Sequence, residues 1–239
     1  MTSQRTPLLA SILAVTVVGA ACGQWQQPQA GPIEHEHFAS PMDKAETTRV
    51  GLSMGAGTLT VKGGASDLVS ADFSYNVPAW KPSTVQSVSG TQSEIQISQG
   101  PSNGSGSNTE NTWDVALNDS RPMTLIAHVG AGEAHMTLGS LNLRRIELTI
   151  GAGQVDMDLR GTPKTSYAVS VHGGVGQATI HLPKTVAISA SASGGLGDIS
   201  TKGLEKRDGR WINPAVTSSP VTIELDVHGG VGQIELIAD

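Results

Sequence analysis

The chain has 239 residues, 15 Lys and Arg against 21 Asp and Glu, and a formal net charge of −6. That balance excludes a broad basic surface for nucleic acid, because phosphate binding needs clustered cations. With 3% aromatic residues, 29 glycines and one cysteine, there is no disulfide framework or cysteine-based metal site, and the expected core is thin, built of Val, Ile, Leu and Ala between close-packed strands.

The N-terminus reads as an address. Arg5 supplies a positive region, and Leu8 to Ala21 is an apolar run too short for a comfortable membrane span. It ends in Val18-Gly19-Ala20-Ala21-Cys22, with small residues before the cut and the only cysteine after it. This resembles a bacterial lipobox, with Gly19 where Leu or Val is usual. Residues 1–21 are therefore expected as a signal peptide and Cys22 as the lipidation site. Plain signal cleavage near Ala20 and Ala21 is the alternative. Gln24 is not the Asp that favours inner-membrane retention under the lipoprotein sorting rule, so an outer-membrane or cell-surface position is expected.

Residues 22–47 are expected to form a flexible, lipid-anchored tether, since GQWQQPQAGP is rich in Gln, Pro and Gly and has no apolar period. Ile33-Glu34-His35-Glu36-His37-Phe38 follows. Its two His and two Glu could hold a metal weakly, but a solvated linker accounts for them.

From residue 48 the chain repeats. Gly55-Ala56-Gly57, Gly130-Ala131-Gly132, Gly151-Ala152-Gly153, Gly174-Val175-Gly176, Gly195-Leu196-Gly197 and Gly230-Val231-Gly232 each precede an alternating segment. Most successive spacings are 21 to 23, broken by two longer insertions. After the glycines, the apolar positions are those of Val155, Met157 and Leu159, or Ala178, Ile180 and Leu182. Before them, the parity is reversed: Ile146, Leu148 and Ile150, or Val169 and Val171. Period-two alternation means strands with one buried face. A change of parity means that the chain bends at the G-x-G, where glycine tolerates the backbone angles and a close neighbour. One repeat cannot bury its own inner face, so repeats must stack. The expected fold is all-β: a β-solenoid-like, single-stranded, right-handed β-helix-like stack of about six glycine-cornered coils over residues 48–239, with sub-parts near 48–162 and 163–239.

The insertions hold further strands, expected at Leu68 to Val77, Ser83 to Gly90, Glu94 to Ser98 and Thr112 to Asn118. LEKRDGRWINP, within 203–220, reads as a polar hairpin. The insertions are suited to protecting a sheet edge. Trp113 fits a core strand, whereas Trp80 and Trp211 could contact a partner or plug an end of the stack.

Chemistry is sparse. GGVGQ and GGLGD lack the Lys and the following helix of a phosphate loop, and the 21-to-23 period does not converge aspartates as a nonapeptide calcium repeat does. No G-x-S-x-G elbow is present, and outward strand positions lack the aromatic platforms of a glycan enzyme. No catalytic residue, metal site or cofactor is expected. Four residues before each last glycine runs a column of Ser53, His128, Thr149, His172, Ser193 and His228. His128, His172 and His228 fall on alternate repeats, about 9 to 10 Å apart in a sequential stack. They read as an outward polar ladder or as a pH-sensing binding column.

The stretches LTVKGGASDLVSADFSY, NTWDVALNDSRPMTLIAHVGAGEAHMTLGSLNLRRIELTIGAGQVDMDLRG and the later GGVGQATIHLPKTVAISASASGGLGDI and HGGVGQIEL resemble the bacterial toastrack envelope domains, which include the C-terminal domain of LiaF-like proteins. The resemblance covers about residues 49 to 239. It implies a non-enzymatic exported envelope domain, an interaction or accessory module in cell-envelope stress sensing beside a membrane sensor protein. An adhesin-like or structural surface module, self-associating or binding envelope polymer, is the alternative. The expected partners are the membrane through the N-terminal lipid anchor, a membrane sensor or envelope polymer, and no nucleic acid. Unlike LiaF-like proteins, this chain has no multi-helix membrane segment.

Overall fold

A computed structural model describes residues 30–101, 108–213 and 219–239. The expected signal peptide, Cys22 and the first part of the tether lie outside the described residues.

In chain order the strands are β1 (Glu34–Ser40), β2 (Thr47–Lys62), β3 (Val69–Tyr75), β4 (Ser83–Ser89), β5 (Gln92–Ser98), β6 (Asn111–Leu117), β7 (Met123–Thr137), β8 (Leu143–Asp158), β9 (Tyr167–Leu182), β10 (Ala187–Leu196), β11 (Ile199–Lys202), β12 (Glu205–Arg207), β13 (Arg210–Ile212) and β14 (Thr222–Ala238). All belong to one 14-stranded sheet. The fold is all-β and β-solenoid-like.

Five long strands, β2, β7, β8, β9 and β14, each run through a G-x-G corner. They stack parallel and in register, with Gly57, Gly132, Gly153, Gly176 and Gly232 forming one column. Strands β10 and β11 together make a sixth coil on β14. Each coil thus contributes one strand segment to a wall before the corner and one to a wall after it. The parity switch puts the apolar side chains of both walls on the inside: Ile146, Leu148 and Ile150 before the corner of β8 and Val155 and Met157 after it are all buried. Stacked Val, Ile, Leu and Met from successive coils form one continuous core. Burying such a side chain fully contributes roughly 1.5–3 kcal/mol, and no single coil could do so alone.

The order of the stack differs from the order of the sequence. Strand β14 lies between β9 and β10, so the coils are not sequential. The 203–220 insertion makes this possible: after β11 the chain forms the β12–β13 hairpin against the outer edge of β10, and β14 fills the slot beside β9. The alternate-coil separation expected for His172 and His228 is therefore corrected, because these residues lie on adjacent strands, directly opposite each other.

At the other end of the stack, β5 and β4 extend the first wall from β2, while β6, β3 and β1 extend the second. The four strands expected in this insertion are β3 to β6. Phe73 and Trp113 meet edge to face at 5.3 Å between centroids. Trp80, on a 3-10 turn at Pro78–Trp80, is buried, which settles it as packing and not as a partner contact. Trp211 is partly buried against the core, with Lys206 Nζ 4.7 Å from its ring centroid.

The tether expectation is also corrected over its second half. Strand β1 pairs antiparallel with all of β3, and Phe38 packs on the core. The alternation of Glu34 to Phe38 supplies an edge strand with one ring to bury. Among the described residues no helix is long and apolar enough to cross a membrane.

Candidate interaction surface

The corner is built by close backbone approach. The glycine at the third position of each G-x-G has a positive φ: 141° at Gly153 and 143° at Gly176. L side chains rarely adopt that region. A β-carbon on Gly176 would also overlap the carbonyl oxygen of Gly153, and the same relation recurs from coil to coil up to Gly197 against Gly232. The corner can exist only as a glycine ladder.

The middle residue of each triplet points outward, and these residues also stand in register: Ala56, Ala131, Ala152, Val175, Val231 and Leu196. Three small alanines thus give way to three larger apolar side chains along the stack. Val175 is 56% exposed, Val231 47% and Leu196 72%. Adjacent exposed apolar residues of this size form a ridge that water solvates poorly, unlike single scattered ones.

Two polar rims flank the ridge. On one side Gln154, Gln177 and Gln233 form an amide ladder, Gln154 Nε2 donating to Gln177 Oε1 (3.4 Å) and Gln177 Nε2 to Gln233 Oε1 (3.3 Å). On the other side runs the predicted column. His172 and His228 stack with centroids 5.1 Å apart and an interplanar angle of 14°. Ser170 Oγ and His172 Nε2 share a 3.0 Å hydrogen bond, and Ser193 Oγ and His228 Nδ1 one of 2.7 Å. His128 faces Thr149, which separates it from His172. The structure thus brings two of the three predicted histidines together and leaves the third apart.

Beneath the ridge the core is incomplete. The inward position before the corner is Met54, Val129 and Ile150 in the first three coils but Gly173, Gly229 and Gly194 in the last three. A cavity of about 60 Å³ opens there, lined by Ile150, Val155, Val171, Val227 and Ile234. A β-carbon on Gly194 would touch nothing within 4 Å. The ridge therefore lies over a yielding part of the stack. Neither the ridge nor the cavity was anticipated, although the change from Ala to Val or Leu inside the triplets was visible in the sequence.

The two ends of the corner differ. At the β2 end, Gln99 Oε1 accepts from the Gly55 N–H (2.8 Å), and Asn111 Nδ2 donates to the Ala56 carbonyl (2.6 Å). Asn111 Oδ1 also accepts from Trp113 Nε1 (3.0 Å). These side chains replace the backbone of a missing coil. At the Leu196 end no equivalent cap exists among the described residues.

Several other ionisable groups pair within the fold. Buried Arg121 forms an ion pair with the partly buried Asp43 and also donates to the Asp43 backbone carbonyl (2.6 Å). Burial works against ionisation of Asp43, but Ser93 and Arg121 beside it outweigh this and hold the carboxyl below its usual range. Hydrogen bonding to Arg160 likewise holds Asp158 low. Burial, with Glu36 and Glu34 alongside, pushes Tyr75 up to about 12. In β1 the alternation separates the two His from the two Glu: His35 and His37 meet Ser74 and Asp72, whereas Glu34 and Glu36 meet Tyr75 and Lys81. Among the described residues no three His, Cys, Asp or Glu converge on a metal position.

Comparison with known proteins agrees with this architecture. The family profile described as the N-terminal domain of toast_rack, DUF2154, matches residues 29–181. The crystal structure of a candidate cell adhesion protein from Clostridium sporogenes is 30% identical, with a TM-score of 0.84, over 87% of this chain and 100% of that one. That of a candidate adhesin from Bacteroides fragilis is 11% identical, with a TM-score of 0.33, over 88% and 99% of the two chains. No curated protein matches the chain. With the profile covering most of the glycine-cornered stack and a 30% identical relative spanned end to end, the chain belongs to the toast-rack family.

Proposed function

We propose that this protein is a non-enzymatic, exported surface module that works by adhesion, and that its contact face is the ridge of Val175, Val231 and Leu196. The observation that carries the reading is the ridge itself: three apolar side chains in register, exposed and rimmed by amides and imidazoles. An apolar centre within a polar rim is the anatomy of a protein-binding patch. The Clostridium sporogenes relative, a candidate cell adhesion protein of the same fold, supports the same reading. In this reading Cys22 carries the lipid anchor, and the module stands at the outer membrane or cell surface. His172 and His228 stack at the rim of the contact face, and in this reading they are the part of the predicted column that takes part in binding.

The test is attachment. Cells carrying the protein are compared with cells lacking it for binding to surfaces and to one another, and external protease reports whether the domain is outside. Loss of attachment together with protease sensitivity in intact cells is expected. A protected domain, or attachment that does not depend on the protein, would refute the reading. The accessory role in envelope stress sensing rests on the LiaF-like resemblance alone.

A further inference from the structure

The outermost coil leaves a strand edge open. Strand β11 pairs with β14 on one side, and among the described residues no strand pairs with its other side. Asp198, Ile199, Ser200 and Lys202 are exposed. The direction of its backbone groups follows from one bond: the Ile234 N–H donates to the Asp198 carbonyl at 3.0 Å. Asp198, and by alternation Ser200 and Lys202, point their backbone groups at β14. Ile199 and Thr201 therefore point theirs outward, unpaired.

The sequence of this edge is self-complementary. Asp198-Ile199-Ser200-Thr201-Lys202, laid antiparallel against itself about Ser200, sets Asp198 opposite Lys202 at both ends. It also sets Ile199 opposite Thr201. These last are the residues with outward backbone groups, and each such pair would exchange both of its N–H···O bonds. The Asp198–Lys202 and Ser200–Ser200 pairs fall at the non-hydrogen-bonded positions, where opposing side chains approach most closely. The faces agree as well. Ile199 and Thr201 lie on the core side, in register with Ile234 and Leu236, so the half-exposed Ile199 would gain cover. Asp198, Ser200 and Lys202 lie on the outer side, where an ion pair can form.

Other edges lack this property. Strand β1 carries Glu34, His35, Glu36 and His37, β12 laid against itself sets Glu205 opposite Arg207 but brings Lys206 against Lys206, and β4 carries no charge that could select a partner or fix a register. Charge on an edge normally prevents pairing. On β11 the two charges are placed so that a second copy satisfies them.

We propose that two copies of this chain pair through β11, antiparallel about a two-fold axis at Ser200, joining their second walls into one sheet. The pairing is isologous, so it closes at a dimer. It goes beyond the adhesive reading and does not depend on it, because the ridge lies at the corner and not on this edge.

Crosslinking in cells and sedimentation of the full-length chain test the proposal. Ser200→Cys should form a disulfide-linked dimer above the background of the unaltered chain, whose one cysteine is Cys22. Asp198→Lys or Lys202→Asp alone should weaken dimerisation by about tenfold. An equimolar mixture of these two variants should restore it, since each supplies the charge that the other lacks. Thr201→Pro should abolish it by removing an outward N–H while leaving the side facing β14 intact. Circular dichroism and thermal melting of each variant exclude loss of fold. A chain that stays monomeric, a Ser200→Cys variant that crosslinks no more than background, or a dimer indifferent to both charge variants would overturn the proposal.

Discussion

The backbone carbonyl of Gly153 occupies the space that a β-carbon on Gly176 would need, and Gly176 itself has a φ of 143°. These two facts make the corner glycines irreplaceable one by one. Gly176→Ala is expected to cost about 3 kcal/mol or more, from a strained φ and a backbone clash that must move a whole coil. Gly194→Ala should be harmless, or stabilising by up to about 1 kcal/mol, because the space is empty and alanine restricts the unfolded chain. Urea unfolding of the two variants checks the contrast. Equal effects would show that the ladder does not govern stability.

Asn111 and Gln99 stand in for a missing coil at the β2 end. Asn111→Ala removes the donor to Ala56 and the acceptor for the buried indole of Trp113. It should cost about 2 kcal/mol, since buried polar groups are left unpaired. Asn111→Asp keeps the acceptor but sets a buried carboxylate against the Ala56 carbonyl and Gln99 Oε1, so it should destabilise at least as much as Asn111→Ala. Hydrogen exchange should rise first at Gly55 and Ala56.

The Asp43–Arg121 pair joins the loop after β1 to the turn before β7. Arg121→Ala strands a largely buried carboxylate and should destabilise the fold by about 3 kcal/mol. Stability should also fall in acid. Asp43 and Asp158 are held below the ordinary carboxylate value of about 3.9. Their contribution is therefore fully present above that value and is lost as pH falls through the depressed values of the folded state. Chemical denaturation at about pH 6, pH 4 and pH 2 measures the slope. Asp43→Asn should flatten it, and an unchanged slope would rule out a part for Asp43.

The stacked imidazoles of His172 and His228 sit at the rim of the contact face, with Asp226, Glu224, Glu147 and Arg210 among the charged groups on the same side. Changing both His172 and His228 to Ala removes this rim while leaving the core intact, so attachment to a surface partner should weaken with thermal unfolding unchanged. Changing His128 to Ala, two coils away from His172, should leave attachment as it is. Equal attachment by the double variant and the native chain would rule out a part for the imidazoles.

Much of the fold was legible because both of its rules are local. Alternation marks a buried strand face, and the parity change at each G-x-G marks the corner. The neighbour of each coil was not legible in the same way, because strand order depends on where a long insertion lets the chain return. One signal was present: His172-Gly173-Gly174-Val175-Gly176-Gln177 recurs unchanged as His228-Gly229-Gly230-Val231-Gly232-Gln233. Identical hexapeptides stack into His and Gln ladders, whereas Gly195-Leu196-Gly197-Asp198 would break both. The edge strand Glu34–Ser40 was hidden by its charges, which suit an edge as well as they suit a linker. The ridge was missed because Val175, Val231 and Leu196 look like core residues until the corner turns them outward.

The part played by the ridge is decided by attachment of cells displaying the protein with Val175, Val231 and Leu196 all changed to Ser. These side chains face solvent, so the fold should be kept and thermal unfolding unchanged. Attachment should fall to the level of cells lacking the protein. Attachment equal to that of the native chain, in a variant shown to be folded and displayed, would contradict the ridge as the contact face.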